Sequence, residues 1–347
     1  GVIAAYANQR GSDDNTPGTD IQWAEGNQTN PDGSKQDALT EATGGYESRI
    51  YFGEQSPDYS VVGKTADDAT DVELSLSSGT EDEDETTTYD GEGGVDIGST
   101  FRQLMYAVKF GEPNFLLSGR VHENSQVIYN RTPRERVEKV APWLTIDDDI
   151  YPSIVDGRVV WIVDGYTTTD RYASAERESF ETMTNDSLQD TTGLATLPTD
   201  EINYMRNAVK ATVDAYDGTV TLYEWDEEDP ILKAWMGAFP DTVVPKADIS
   251  ADLEQHLRYP EDLFKVQRYQ YARYHITDAG DWYQGNDRWE VPTDPNSAND
   301  LQPPYRLFVD ENAGMTDADG TTNEQWSLTS TFVPFGKSNL AAFMSDN

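Results

Sequence analysis

The chain has 347 residues, with 64 Asp and Glu against 25 Lys and Arg, a net charge of −39 and a mean hydropathy of −0.70. Such a field repels nucleic acid and anionic lipid head groups and leaves divalent cations, basic partners or a saline exterior, or plain solubility through self-repulsion. The absence of cysteine removes disulfides, thiol catalysis and zinc–thiolate sites, and no apolar run reaches the ~20 residues that cross a bilayer.

The length suits one large or two modest domains, with sub-lobes expected at 1–145 and 146–347. Residues 8–45 are rich in Gly, Asn, Asp and Thr and read as loop. RIYFGE (49–54) and YSVVG (59–63) are short strand candidates. Residues 66–98 hold twelve acidic side chains and no basic one. Like charges repel and stay solvated, so a loop is expected, closed by DGEGGVDIG. STFRQLMYAVKF (99–110) then places Phe101, Leu104, Met105 and Val108 at helical spacing. Thr132-Pro133-Arg134-Glu135 is a capping box with Pro at the first helical position, and predicts a helix to about Val140.

YPSIVDGRVVWIVDGYT (151–167) has Asp156-Gly157 between two β-prone runs, a strong hairpin signal. Val159–Val163 is continuously apolar, which predicts a strand covered on both faces. Residues 173–200 are polar and read as a second long insertion. In VDAYDGTVTLYEWDEEDP (213–230), a two-residue Asp217-Gly218 turn would set Ala215 opposite Val220 and Val213 opposite Leu222. One face then carries Val209, Ala211, Val213, Ala215, Val220 and Leu222. The other carries Lys210, Thr212, Asp214, Thr221 and Tyr223, which reads as a sheet with one buried face. Asp229-Pro230 should cap the helix ILKAWMGAF, and Ser250 and Pro260 should open helices at 251–257 and 261–274. WSLTSTFVPF (326–335) is a last strand candidate, and NLAAFM ends the chain without an evident partner. Hairpins beside separate helices argue for an α+β fold, an antiparallel sheet with helices packed beside it and long acidic or polar loops.

No catalytic signature stands out. His122, His256 and His275 lack ligand spacing, no GxSxG occurs, and GEGG (91–94) lacks the strand and Lys of a phosphate loop. DADG (317–320) lacks the pattern of a helix–loop–helix calcium site. IDDDIYP places Asp147 and Asp149 where adjacent carboxylates could share a hard cation such as Ca²⁺, or simply stand in a solvated turn. No cofactor is otherwise indicated. Two carboxylates flanking a glycosidic bond remain an alternative, because distances across a fold are invisible in sequence.

Several long segments resemble uncharacterised protein family 0182. They are RIYFGE (49–54), GEGGVDIGS (91–99), 136–169, 202–235, HLRYPEDLFKVQ (256–267), ARYHITD (272–278) and NLAAFM (339–344). The likeness covers nearly the whole chain apart from its acidic and polar insertions. TIDDDIYP departs from a TLDGDPYP-like pattern, losing a Gly and a Pro but keeping Asp147 and Asp149. The resemblance implies a large multi-pass membrane protein with an extracytoplasmic region to which this chain would belong, consistent with the abrupt start at Gly1. It carries over no reaction, substrate or catalytic residue. The expectation is therefore a non-catalytic binding or scaffolding domain at the cell membrane, serving envelope assembly or lipid and glycan handling. Its partners would be its own membrane-spanning and flanking segments and envelope lipid or glycan, with no nucleic acid. The alternative is a carboxylate-dependent, Ca²⁺-assisted extracytoplasmic hydrolase.

Overall fold

The computed structural model describes residues 45–47, 49–63, 73–74, 86–117, 121–188, 199–310 and 324–346. The predicted loops at 8–44, 66–72, 75–85 and 189–198, and the DADG segment, lie outside the described residues. Among them the fold is α+β, with helices beside antiparallel sheets.

Strands β1 (Tyr59–Val62), β2 (Val95–Asp96) and β3 (Gln126–Tyr129) form a small antiparallel sheet in the order β1-β3-β2. Helices α1 (Thr100–Phe110) and α2 (Asn114–Leu117) lie beside it, with Ala107, Phe115, Ile97 and Val127 sharing a core. RIYFGE is not a strand. Its Tyr51 and Phe52 N–H groups both donate to the Ala215 carbonyl, and Phe52 is fully buried. β-prone composition here serves a packed loop rather than a ladder.

Helix α3 (Pro133–Val140) starts where predicted, its first turn capped by the Thr132 hydroxyl. A six-stranded central sheet follows. It comprises β4 (Thr145–Ile146), β5 (Tyr151–Val155), β6 (Arg158–Thr169), β7 (Tyr204–Asp214), β8 (Val220–Glu224) and β9 (Val243–Val244). The order is β9-β8-β7-β6-β4, with β5 also on β6. All pairs are antiparallel except β8 with β9. Asp156-Gly157 makes the expected two-residue turn, Val155 opposite Arg158, with φ of 50° and 75°.

The second Asp-Gly turn is wider than predicted. Val213 pairs with Val220 and Ala211 with Leu222, two residues off the expected register. The faces are kept, because a shift of two preserves the pleat. The cause is Asp214, whose Oδ1 accepts from the N–H groups of Tyr216 and Asp217, both at 2.8 Å. These side chain-to-backbone bonds build a local turn of their own. The GEGG segment then docks on it. Glu92 N–H donates to Asp217 Oδ1 at 3.2 Å, and a Cβ on Gly93 would collide with the Asp217 carbonyl. The glycines permit close backbone approach, with no phosphate chemistry invoked.

One face of the central sheet packs Trp161, Val163, Val209, Ala211, Val213 and Leu222 against Val137 of α3, Ala141 just after it, and Leu232 of α5 (Pro230–Ala238). Each fully buried large aliphatic side chain contributes about 1.5–3 kcal/mol. The opposite face was expected to be open. It is covered instead: Ile162 and Tyr151 pack on Leu253 of α6 (Ala251–His256), and Lys210 is buried. The reading of β6 as doubly covered holds, since residues 161–167 are all buried.

Within 173–200, expected as loop, residues Glu178–Ser179 form a strand and Phe180–Thr184 a short helix, α4. Strand pairs also occur within 66–98, at Glu73–Leu74 with Thr86–Thr87. Helix Glu261–Tyr274 runs as predicted. A C-terminal sheet is built on Glu324–Pro334, which pairs with Trp289–Glu290, with Tyr305–Asp310 and with Ala342–Asp346. That last strand gives NLAAFM its partner. No helix among the described residues is long and apolar enough to cross a membrane.

Candidate functional site

The helix Glu261–Tyr274 has no cap of its own, because Pro260 stands at its N-cap without a side-chain acceptor. The first N–H groups of a helix need acceptors when buried. A distant loop and strand β6 supply them. Asp147 Oδ2 accepts from the Asp262 N–H at 2.9 Å, and Tyr166 Oη accepts from the Leu263 N–H at 3.2 Å. The Tyr166 hydroxyl in turn donates to Asp147 Oδ2. The exchange is reciprocal, since Asp262 Oδ2 accepts from the Asp148 N–H at 2.9 Å. Asp147 Oδ1 also accepts from the Asp149 N–H at 2.7 Å. Two carboxylates thus clasp the 147–149 loop to the helix start, where the helix dipole favours negative charge.

Asp147, Asp262 and Tyr166 are all buried. Burial pushes the Asp147 carboxyl up to about 7. The charges of Asp262 and Asp164 push the same way, while hydrogen bonds from Tyr166 and the Asp262 N–H oppose it. Burial likewise raises Asp262 to about 6, against the hydrogen bond from Asp148. Removal from water disfavours each charged form, and the neighbouring acids add to that cost. Burial also holds the Tyr166 hydroxyl well above its ordinary range.

Beside the clasp lies a buried ion pair. Asp164 on β6 and Lys210 on β7 are direct cross-strand partners. Lys210 Nζ sits 2.5 Å from Asp164 Oδ1 and donates to the Arg258 carbonyl at 2.8 Å. Asn207 Nδ2 donates to the same Asp164 oxygen at 2.9 Å. The Arg258 N–H donates to Tyr151 Oη at 3.0 Å, and that hydroxyl donates to the His256 carbonyl at 3.2 Å. On the rim, Arg306 pairs with Asp149 and lies 3.4 Å from Glu261, which pairs with Lys265 at 3.0 Å. Lys265 also faces Asp186, the partner of Arg268. A further buried carboxylate, Asp229, caps α5 through the Leu232 N–H at 2.8 Å and accepts from Thr167 and Tyr204.

The two residues predicted as cation ligands are thus both held by protein donors. Asp147 accepts three hydrogen bonds, and Asp149 faces the Arg306 guanidinium. A Ca²⁺ there would have to displace them. Among the described residues no three His, Asp or Glu side chains are grouped as a metal site needs. Sequence reading missed Asp262, Asp164, Lys210 and Tyr166. The Asp164–Lys210 pair becomes visible once the register of β6 on β7 is known. The Asp147–Asp262 pair spans 115 residues and leaves no local signal.

The whole chain, residues 1–347, matches the model of an uncharacterised protein family, UPF0182. It is 63% identical over 356 residues to a UPF0182 protein of Nocardioides sp., covering all of this chain and 34% of the relative. UPF0182 proteins of Frankia alni and Streptomyces coelicolor are 50% and 48% identical, over 86% and 87% of this chain. The chain spans about a third of the length of the curated relatives it matches. No solved structure matches it. On the full-length family match and this identity, the chain belongs to the uncharacterised protein family UPF0182.

Proposed function

We propose that this chain is a non-catalytic binding or scaffolding domain of a larger membrane protein, standing on the extracytoplasmic side and contacting envelope lipid or glycan and its own flanking segments. The observation that carries the reading is how the buried acids are used. Asp147, Asp262, Asp164 and Asp229 each accept hydrogen bonds from the protein itself, and three of them hold helix starts or a loop in place. The acidic composition suits an exterior exposed to cations, and the length of the relatives leaves room for further regions. The cysteine-free sequence offers a direct test. In cells making the complete protein, Tyr283→Cys, at a position 86% exposed, should add labelling by a membrane-impermeant maleimide before lysis over that of the unsubstituted protein. Labelling only after lysis rejects the extracytoplasmic placement.

A second reading, the Ca²⁺-assisted hydrolase, draws on the raised Asp147 and Asp262 carboxyls, since acid–base catalysts have such shifts. Saturable Ca²⁺ binding in calorimetry that disappears in Asp149→Ala would support it over the first.

A further inference from the structure

In an antiparallel ladder, residues directly opposite one another share a face. In the C-terminal sheet Tyr305 stands opposite Thr329, and Thr329 opposite Ser345. Leu307 lies opposite Ser327, and Thr331 opposite Phe343. Period-two alternation puts all of them on one side. The other side holds Leu328, Ser330 and Phe332, all buried, with Ser330 toward Arg268 of helix Glu261–Tyr274 and Phe332 against Trp289. The first side therefore faces outward, with Tyr305 44%, Leu307 51% and Phe343 70% exposed. None of its side chains named here is charged, although 26% of the chain's residues are. Arg306 and Asp346 fall on the inner side, in register with Leu328. Hydroxyls fill the middle of the outer face. The Ser327 and Ser345 hydroxyls lie 2.6 Å apart, Thr329 donates to the Tyr305 carbonyl at 3.3 Å, and Thr331 donates to Gln302 Oε1 at 2.9 Å. Each donating hydroxyl keeps acceptor lone pairs. Tyr305 and Phe343 are two strands and two residues apart, which sets them about 12 Å from each other at opposite corners of the hydroxyl field.

We infer that this face binds an uncharged glycan chain laid across the three strands. Tyr305 and Phe343 each stack on the C–H face of a sugar ring, because the negative face of an aromatic ring attracts C–H groups. The Ser and Thr hydroxyls between them both donate and accept, as sugar hydroxyls do. The spacing of the two rings exceeds one sugar ring, so the ligand is a chain rather than a monosaccharide. The inference rests on the reading of the chain as an envelope-binding domain and selects glycan over lipid. An anionic lipid or acidic polysaccharide finds no cation among these side chains and is repelled by a net charge of −39. An acyl chain or an apolar protein surface would strip water from the hydroxyls without pairing them, which is costly. A second copy brings the same net charge and is repelled.

The test is native affinity electrophoresis of the 347-residue chain in gels cast with a β-glucan, a mannan or a galactan, with polygalacturonate as the acidic control and a plain gel as reference. At least one neutral polysaccharide should retard the chain, and polygalacturonate should not. Tyr305→Ala/Phe343→Ala should bind that polysaccharide about tenfold less or not at all, since two stacking contacts are lost. Tyr305→Phe/Phe343→Tyr keeps both rings and should migrate like the wild type, which separates stacking from a loss of fold. Absence of retardation in all three neutral gels, retardation by polygalacturonate alone, or equal retardation of the Ala variant overturns the inference. So does light scattering that shows a dimer broken by the same Ala substitutions, which assigns the face to a second copy. The membrane-domain reading fails separately, because maleimide labelling reports the side of the membrane and the gels report this face.

Discussion

Two acidic regions of this molecule handle charge in opposite ways. At the wide hairpin turn, Asp214 and Asp217 stand partly in solvent and share one guanidinium, Arg158, at 2.8 and 2.6 Å. At the helix clasp, Asp147 and Asp262 are buried beside one another and are held by N–H groups and a tyrosine hydroxyl rather than by a cation. The turn uses Coulomb attraction, which water and salt weaken. The clasp uses directed hydrogen bonds in a low-dielectric interior, where an unmade bond is costly. The difference teaches that acid count alone says little: position decides whether a carboxylate is a solvated charge or a structural acceptor.

The ion pair beside the clasp gives the sharpest break. Lys210→Met leaves Asp164 buried without its cation, and breaking such a pair costs about 3–5 kcal/mol. Chemical denaturation should show a loss of that size. Adding Asp164→Leu should recover most of it, because an apolar pair of similar volume replaces both charges. If the double variant is as unstable as the single one, the cost lies in packing and not in the orphaned charge.

The clasp itself should make stability depend on pH. Both carboxyls are raised in the folded state, Asp147 to about 7 and Asp262 to about 6. Between about pH 4 and 7 the folded protein therefore holds protons that the unfolded chain has lost. Linkage then makes stability fall as pH rises through that window and level off above it. Self-repulsion of the acidic chain acts in the same direction, so the comparison with Asp147→Asn isolates the clasp. The variant should be less stable at low pH and show a shallower decline. An unchanged slope in the variant would remove the clasp as its source.

What sequence could reveal follows from the range of each interaction. The caps at Thr132, Asp229 and Ser250 involve residues three apart, and all three helices start where predicted. Asp156-Gly157 forms its turn from adjacent residues alone. Asp217-Gly218, the same dipeptide, does not, because Asp214, Arg158 and a glycine segment some 125 residues away reshape it. RIYFGE was misread for the same reason: its partner is the Ala215 carbonyl, far along the chain. The spacing of Phe101, Leu104, Met105 and Val108 identified an apolar helix face, yet spacing cannot say what covers it, and in the fold it points outward. Lys210 looked solvent-facing because period-two alternation reports one face at a time. Only the arrival of Arg258 and the helix after it closes the other.

Arg158→Ala should produce the smallest effect and the one that tests the contrast most directly. The guanidinium is over a third exposed, so its bonds to Asp214 and Asp217 are discounted for solvent, and a loss of roughly 1 kcal/mol is expected. The Asp214 bonds to the Tyr216 and Asp217 N–H groups remain, so the turn should keep its shape. The loss should shrink in about 1 M salt, where the Debye length falls to about 3 Å. Lys210→Met should keep its full cost in the same buffer, because its partner lies inside the protein, where ions do not screen. Equal salt sensitivity in the two variants would mean that burial does not separate the two ion pairs, and the contrast between the exposed turn and the buried acids around the clasp would fail.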